Sequence, residues 1–104
     1  MRERDIQKSI LDYLVYKGIF HWKVNNVGTY RQDTGRYIPA SLKGVPDIIC
    51  VLDGLFVGIE VKTPKTYQNE AQKRFEDAVV KAGGVYIVAR SIDDVEALLK
   101  TLDI

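Results

Sequence analysis

The 104-residue sequence has one cysteine, one histidine and no apolar run long enough to cross a membrane. Cys50 has no partner for an internal disulfide, and His21 alone provides no zinc-type ligand set. A membrane-spanning helix needs about 18 apolar residues, and no signal-peptide core follows the charged start of the chain. Walker loops, nucleophile elbows and dinucleotide-binding fingerprints are missing too. We therefore expect a soluble, intracellular protein without a membrane partner.

Excess charge of either sign is also missing. Fifteen basic and 14 acidic residues give a net charge of +1, and the chain is 46% hydrophobic and 28% charged. This composition is that of an ordinary globular protein, and the length predicts one domain over residues 1–104. One segment is locally basic, with Asp33 as its single acid and the basic residues Lys17, Lys23, Arg31, Arg36 and Lys43. Such a segment suits a polyanionic substrate, although a solvated hairpin tip is the alternative.

Hydrophobic periodicity and turn residues predict an α/β fold with the element order α-β-β-β-β-α-β-α. The predicted helices cover 5–17, 69–82 and a final segment that begins at a capping signal formed by Ser91 and Asp94. The predicted strands cover 19–27, about 36–38, 48–52, 55–61 and 85–89, with the second of them the weakest. Strand 48–52 and most of 55–61 are apolar on both faces, which is typical of a sheet between two helical layers. Because the helix over 69–82 is a crossover, we expect strands 55–61 and 85–89 to be parallel.

A tight hairpin is the most informative local feature. Asp53-Gly54 joins the strands 48–52 and 55–61, and this dipeptide is strongly favoured in two-residue hairpin loops. Counting outward from the turn puts Asp47 directly opposite Glu60, with Cβ atoms about 4.5–5.5 Å apart. Lys62 returns to the same face because strand side chains alternate. The turn therefore predicts two carboxylates and one ammonium at one end of an apolar hairpin.

Two carboxylates beside an apolar core need a positive charge to neutralise them. Mg²⁺ prefers oxygen ligands and keeps several waters, so Asp47, Glu60 and the backbone carbonyl of Val61 are candidate ligands. Lys62 is placed to hold a water or hydroxide and to offset charge on a phosphate. The alternative is a cross-strand salt bridge at the end of the sheet.

A third acid, Glu3, shares one face of the first predicted helix with Ile10 and Leu14. If the two apolar residues pack on the sheet, Glu3 projects toward the edge where Asp47 and Glu60 lie. The alternative is an acid stabilised by the N-terminal end of the helix dipole.

Four motifs occur in chain order: Glu3-x-x-Ile6-Gln7, Gly44-x-Pro46-Asp47, Glu60-x-Lys62 and Gln72. Together they resemble the PD-(D/E)xK nuclease signature and, more narrowly, the VRR-NUC family of virus-type replication-repair nucleases. The sequence departs from that pattern at Gln68, where the family often has Ser, which leaves the cap of the helix over 69–82 open.

The resemblance implies a restriction-endonuclease-like mixed β-sheet flanked by helices, and cleavage of structured DNA with Mg²⁺ or Mn²⁺. By position, it makes Asp47 and Glu60 metal ligands, Lys62 catalytic, Gln72 a supporting residue and Glu3 a further ligand. Small members of the family are similar to Holliday-junction resolvases and act as homodimers.

We therefore expect a Mg²⁺-dependent, structure-selective endodeoxyribonuclease that cuts branched DNA as a Holliday-junction resolvase-like homodimer. Two alternatives stay open, namely a monomeric flap endonuclease or nickase, and a non-catalytic DNA-binding module on the same fold. The candidate DNA contacts are Lys23, Asn26, Arg31, Arg36, Lys43 and Lys65.

Overall fold

The computed structural model describes residues 1–24, 29–31, 36–38 and 42–104, and these ranges contain three helices and six strands. The helices are α1 (Glu3–Tyr16), α2 (Glu70–Lys81) and α3 (Ile92–Thr101). The strands are β1 (His21–Lys23), β2 (Thr29–Arg31), β3 (Arg36–Ile38), β4 (Ile48–Leu52), β5 (Leu55–Val61) and β6 (Val85–Ala89). Within the same ranges, none of the helices combines the length and the apolar character needed to cross a bilayer.

A mixed sheet with the order β1-β4-β5-β6 lies between the helices. β4 is antiparallel to both of its neighbours, whereas β5 and β6 are parallel, as the crossover through α2 predicted. β2 and β3 form a separate two-stranded antiparallel sheet. The predicted α/β class with a mixed, helix-flanked sheet is therefore confirmed.

The predicted element order was wrong by one strand. The sequence predicted a single strand over 19–27 before the one at 36–38, but the structure has the shorter β1 and, in addition, β2. Residues 25–27 of the predicted strand lie outside the described residues. β2 has only three residues and forms by pairing with β3. Such a segment is too short for hydrophobic alternation to reveal it.

The helix ends show which sequence signals act as caps. α1 begins at Glu3, two residues before the predicted start, and ends at Tyr16, one residue before the predicted end, with Gly18 at a φ of 69°. At α2, Asn69 and Gln72 form a complete capping box, which resolves the cap that Gln68 left open. The predicted cap of α3 was wrong at Ser91, because its side chain accepts no capping hydrogen bond. Instead, the Asp94 carboxylate accepts the Arg90 amide at 2.8 Å.

The two faces of the sheet are covered differently. One face packs against the buried residues of α1 and α3, which include Ile10, Leu14, Val95 and Leu99, and forms the main core. The sheet contributes Ile48, Cys50, Val57, Ile59, Val61 and Ala89 to that core. On the opposite face, α2 packs against β6, where the rings of Phe75 and Tyr86 have centroids 6.3 Å apart. This second face is the one that carries Glu60, since Glu60 alternates with the core residues of β5.

The loop before β4 touches the first turn of α2, backbone to backbone. A Cβ atom at Gly44 would lie 2.2 Å from the carbonyl oxygen of Ala71, and Gly44 has a φ of 81°. Glycine is therefore required at this position twice, for the left-handed backbone and for the close approach. Gly54 in the hairpin turn has the same φ of 81°, but no atom lies within 4 Å of its Cβ position.

Substitutions at these two glycines distinguish the cost of backbone strain from the cost of close packing. We expect Gly54→Ala to cost about 1–2 kcal/mol, the ordinary cost of a left-handed alanine. Gly44→Ala should cost clearly more, because the added methyl must also push α2 away from the loop. Urea denaturation of both variants checks this, and equal losses in the two would contradict the close packing of Gly44 on Ala71.

Candidate active site

The hairpin of β4 and β5 has the predicted register. Its pairs run from Leu52↔Leu55 at the turn to Ile48↔Ile59 at the other end. Both turn residues, Asp53 and Gly54, have positive φ angles of 50° and 81°, as a type I′ turn requires. Asp47 and Glu60 follow one step beyond the last pair. The turn therefore brings the two acids together, as predicted.

Asp47 is held from two sides. Its backbone carbonyl accepts the Val24 amide at 2.8 Å, which ties it to the end of β1. Its carboxylate oxygen Oδ2 accepts the Val61 amide at 2.8 Å, across the hairpin. Val61 thus belongs to the site through its N–H group, whereas its carbonyl as a metal ligand stays a prediction.

Glu60 is the only buried charged residue in the described part of the chain, with 2% of its surface exposed. Its Oε2 accepts a hydrogen bond from the Gln72 side-chain amide at 3.0 Å. The other end of that amide, Oε1, accepts the Asn69 backbone N–H at 2.9 Å in the capping box of α2. Gln72 therefore links the start of α2 to the acid.

The surroundings of Glu60 oppose its ionisation. Burial is the largest cause, and it raises the pKa of Glu60 to about 9, with further increases from hydrogen bonding to Asp47 and from the charges of Asp47 and Glu3. The positive charge of Lys62 acts in the opposite direction, but it does not offset the other causes. At neutral pH Glu60 is therefore protonated and shares its proton with the Asp47 carboxylate. A divalent cation bound between the two acids would replace that proton.

Lys62 continues the sheet one residue beyond β5, because its amide donates to the Ala89 carbonyl at 3.0 Å. Its side chain is half-buried. In the ranges that the structure describes, Lys62 forms no ion pair within 4 Å of an acid. Asp47, Glu60 and Lys62 therefore do not form the simple cross-strand salt bridge that was the alternative.

A pocket of about 410 Å³ opens over the two acids. Its walls come from the end of β1, the loop before β4, the end of β5 and the first turn of α2. The lining includes Val24, Lys43, Asp47, Glu60 and Gln72. The pocket thus combines two acids, an amide and a lysine, and it has room for a hydrated ion together with part of a substrate.

The remaining predicted metal ligand, Glu3, lies near enough for its charge to raise the pKa of Glu60. Even so, no three Asp, Glu, His or Cys side chains among the described residues gather closely enough to hold a metal ion. The structure brings together Asp47 and Glu60, and direct ligation by Glu3 stays a prediction.

The predicted DNA contacts are spread over several surfaces. Lys43 lines the pocket, whereas Lys65 lies on the exposed turn after Lys62. Lys23 lies beside α1, away from the pocket. Arg31 and Arg36 are backbone partners in the register of β2 and β3, and Asn26 lies outside the described residues.

Two residues near the site were not found from the sequence. The Arg90 guanidinium donates to the backbone carbonyls of Thr63 and Thr66 and stacks 5.3 Å from the ring centroid of Tyr67. It thereby holds the turn that connects Lys62 to α2. The hydroxyl of Tyr86 is buried on the Glu60 face and has no hydrogen-bond partner among the described residues. Neither residue belongs to a motif, and the Arg90–Thr63 contact joins positions 27 residues apart.

Comparisons with known proteins agree with this architecture. No family model and no curated protein sequence matches the chain. A solved structure described as a VRR_NUC domain is similar over 94% of both chains, with a TM-score of 0.68 and 24% sequence identity. The chain has the VRR_NUC fold. The fold that the four motifs implied is therefore confirmed.

The raised pKa of Glu60 predicts how the free energy of unfolding depends on pH when no metal is bound. The ordinary pKa of Glu60 is 4.5, and its folded pKa is about 9. Between these values the folded state holds a proton that the unfolded chain has lost. The contribution of protonated Glu60 to the free energy of unfolding is therefore fully present below pH 4.5. It is lost as the pH rises toward the folded pKa. The loss is at most about 1.4 kcal/mol per pH unit.

Glu60→Gln removes this titration and keeps the shape of the side chain. In EDTA, urea denaturation from about pH 5 to about pH 8 should show the wild type losing stability relative to the variant. The same pH dependence in both proteins would show that Glu60 ionises normally in the folded state.

Proposed function

We propose that this protein is a metal-dependent endodeoxyribonuclease that hydrolyses phosphodiester bonds in branched DNA. The juxtaposition of Asp47 and Glu60 in an open pocket carries the proposal. Two acids placed side by side in a protein interior are unfavourable unless a proton or a cation lies between them. The similarity of the fold to a VRR_NUC domain supports a nuclease function.

The donors of the pocket suit Mg²⁺, with Mn²⁺ as a substitute. Asp47 and Glu60 offer carboxylate oxygens, which are the ligands that these hard cations prefer. The Val61 carbonyl and Glu3 are the further ligands that we propose. A bound ion of this kind polarises a phosphoryl oxygen and lowers the pKa of its bound water.

The protein's own residues have separable roles in this proposal. Glu60 would hold the cation as a carboxylate, and the Gln72 amide would keep that carboxylate oriented from the side of α2. The Val61 amide does the same for Asp47. The ammonium of Lys62 offsets the negative charge that develops on the phosphate during cleavage. Lys43, on the pocket wall, attracts the neighbouring phosphates of the DNA backbone.

The number of sites per chain supports action as a homodimer. The described residues of one chain carry one such acid pair, whereas symmetric incision of a four-way junction needs two opposed sites. Two copies related by a two-fold axis supply these sites. A Holliday-junction resolvase-like activity is therefore the specific form of the proposal.

Cleavage assays test the chemistry directly. We expect Mg²⁺ or Mn²⁺ to be required, and we expect Glu60→Gln and Lys62→Met each to lower the rate at least about a hundredfold. Lys81→Ala, at the exposed end of α2, is the matched control and should cleave as the wild type does. Labelled four-way junction, flap, splayed-arm and plain duplex substrates give the substrate preference.

Robust cleavage in EDTA, or full activity of the Glu60 and Lys62 variants, would refute the mechanism. Light scattering on the same preparation tests the assembly. A monomer that prefers flaps would replace the homodimeric resolvase with a monomeric flap nuclease, while leaving the roles of Asp47 and Glu60 in place.

A further inference from the structure

Two aromatic side chains on the first strand of the sheet face water. Phe20 is 69% exposed and Trp22 is 44% exposed, and their rings lie 5.7 Å apart at an angle of 54°. A single exposed aromatic residue needs no explanation, but an adjacent pair forms an apolar patch of the kind that marks binding sites. The patch is therefore a candidate interaction surface.

The strand register places this patch on the face of the sheet that carries Asp47. Trp22 pairs with Ile49, and the Val51 amide donates to the Phe20 carbonyl at 3.1 Å, which extends the same ladder. Asp47, Ile49 and Val51 alternate along the chain, so their side chains share one face. The aromatic rings and the acids of the pocket thus line a single surface.

The patch and the pocket are also continuous. Val24 lines the pocket, and its amide bonds to the Asp47 carbonyl at 2.8 Å. Ile49, the partner of Trp22, lies two residues along β4 from Asp47, and β1 lies one strand to the side, so Trp22 is about 8 Å from Asp47 at about 3.4 Å per residue and about 4.8 Å per strand. Bases in a stacked strand are also about 3.4 Å apart. A DNA strand with its phosphate at the acids would therefore place a base about two steps away at the Trp22 ring.

The strand that carries the patch has basic residues near its opposite face. β1 is the terminal strand, and Lys23 lies on its other face. A shallow depression there is lined by the basic residues Arg4, Lys8 and Lys23 and by one acid, Asp5. Exposed aromatic rings on which bases can stack are a feature of surfaces that bind single-stranded nucleic acid.

We propose, building on the nuclease function above, that Phe20 and Trp22 form a stacking platform for unpaired bases beside the cleaved phosphodiester. The surface would thus select DNA in which bases next to the cut are unpaired, as they are at flaps and opened branch points. A second copy of the chain is the competing occupant of an apolar patch. Continuity with the pocket over Asp47 and Glu60 favours DNA.

Trp22 is the only tryptophan of the chain, so its fluorescence reports on this surface alone. The wild-type protein in EDTA is titrated with a short oligo(dT) strand and with an abasic strand of the same length and charge. We expect oligo(dT) to quench the fluorescence and the abasic strand to leave it unchanged. In anisotropy measurements with labelled oligo(dT), Trp22→Ala should weaken binding at least about fivefold.

Two further variants serve as controls in the same measurement. Trp22→Phe keeps a ring and should bind more tightly than Trp22→Ala. Tyr16→Ala removes an exposed aromatic residue from α1, which packs on the other face, and should bind as the wild type does.

Absence of binding, absence of quenching, or equal quenching by the abasic strand would overturn the platform. A blue shift that grows with protein concentration without DNA would assign the patch to contact between two copies instead. The two proposals fail separately. Cleavage of branched DNA without quenching removes only the platform, whereas quenching without cleavage under any metal removes the nuclease and leaves a base-binding surface.

Discussion

A buried carboxyl group beside a second carboxylate is the arrangement on which the rest of this structure depends. Glu60 is almost completely shielded from water, and Asp47 lies next to it. Burial of an isolated charge is very costly, so the pair must hold a proton or a cation. The fold accepts this cost at a single place, at the floor of an open pocket. Elsewhere in the described residues, buried side chains are nearly all apolar.

Three separate parts of the chain converge on that pair. The hairpin supplies both acids, α2 supplies the Gln72 amide, and the turn held by Arg90 connects them. Gly44 lets the loop before β4 approach the backbone of α2. Each contact joins residues distant in sequence, so the geometry of the pocket depends on the packing of α2 against the sheet. The same packing leaves the far end of this sheet face open, where Phe20 and Trp22 are exposed.

Local rules were sufficient for much of the fold and for the centre of the site. The Asp53-Gly54 turn determined the register, and register alone placed Asp47 opposite Glu60. Apolar residues at helical spacing identified the helices, and the crossover through α2 predicted the parallel pairing of β5 with β6. These features depend on neighbours in sequence or on a short connection, which makes them visible without coordinates.

Features that depend on tertiary contacts were not predictable in this way. β2 exists through pairing with β3, and three residues carry no periodic signal. Ser91 has the sequence signature of a cap, yet the neighbouring Asp94 carboxylate binds the Arg90 amide instead. The proximity of Glu3 to Glu60 depends on how α1 packs, which its helical face alone did not determine.

The central claim is that Asp47 and Glu60 together form a divalent cation site. Calorimetric titration of the protein with Mn²⁺ tests it most directly, since it needs neither a DNA substrate nor turnover. The account predicts saturable binding by the wild type and its loss in both Asp47→Asn and Glu60→Gln, with folding intact by circular dichroism. Wild-type protein that binds no Mn²⁺, or variants that bind it as tightly as the wild type, would contradict the account.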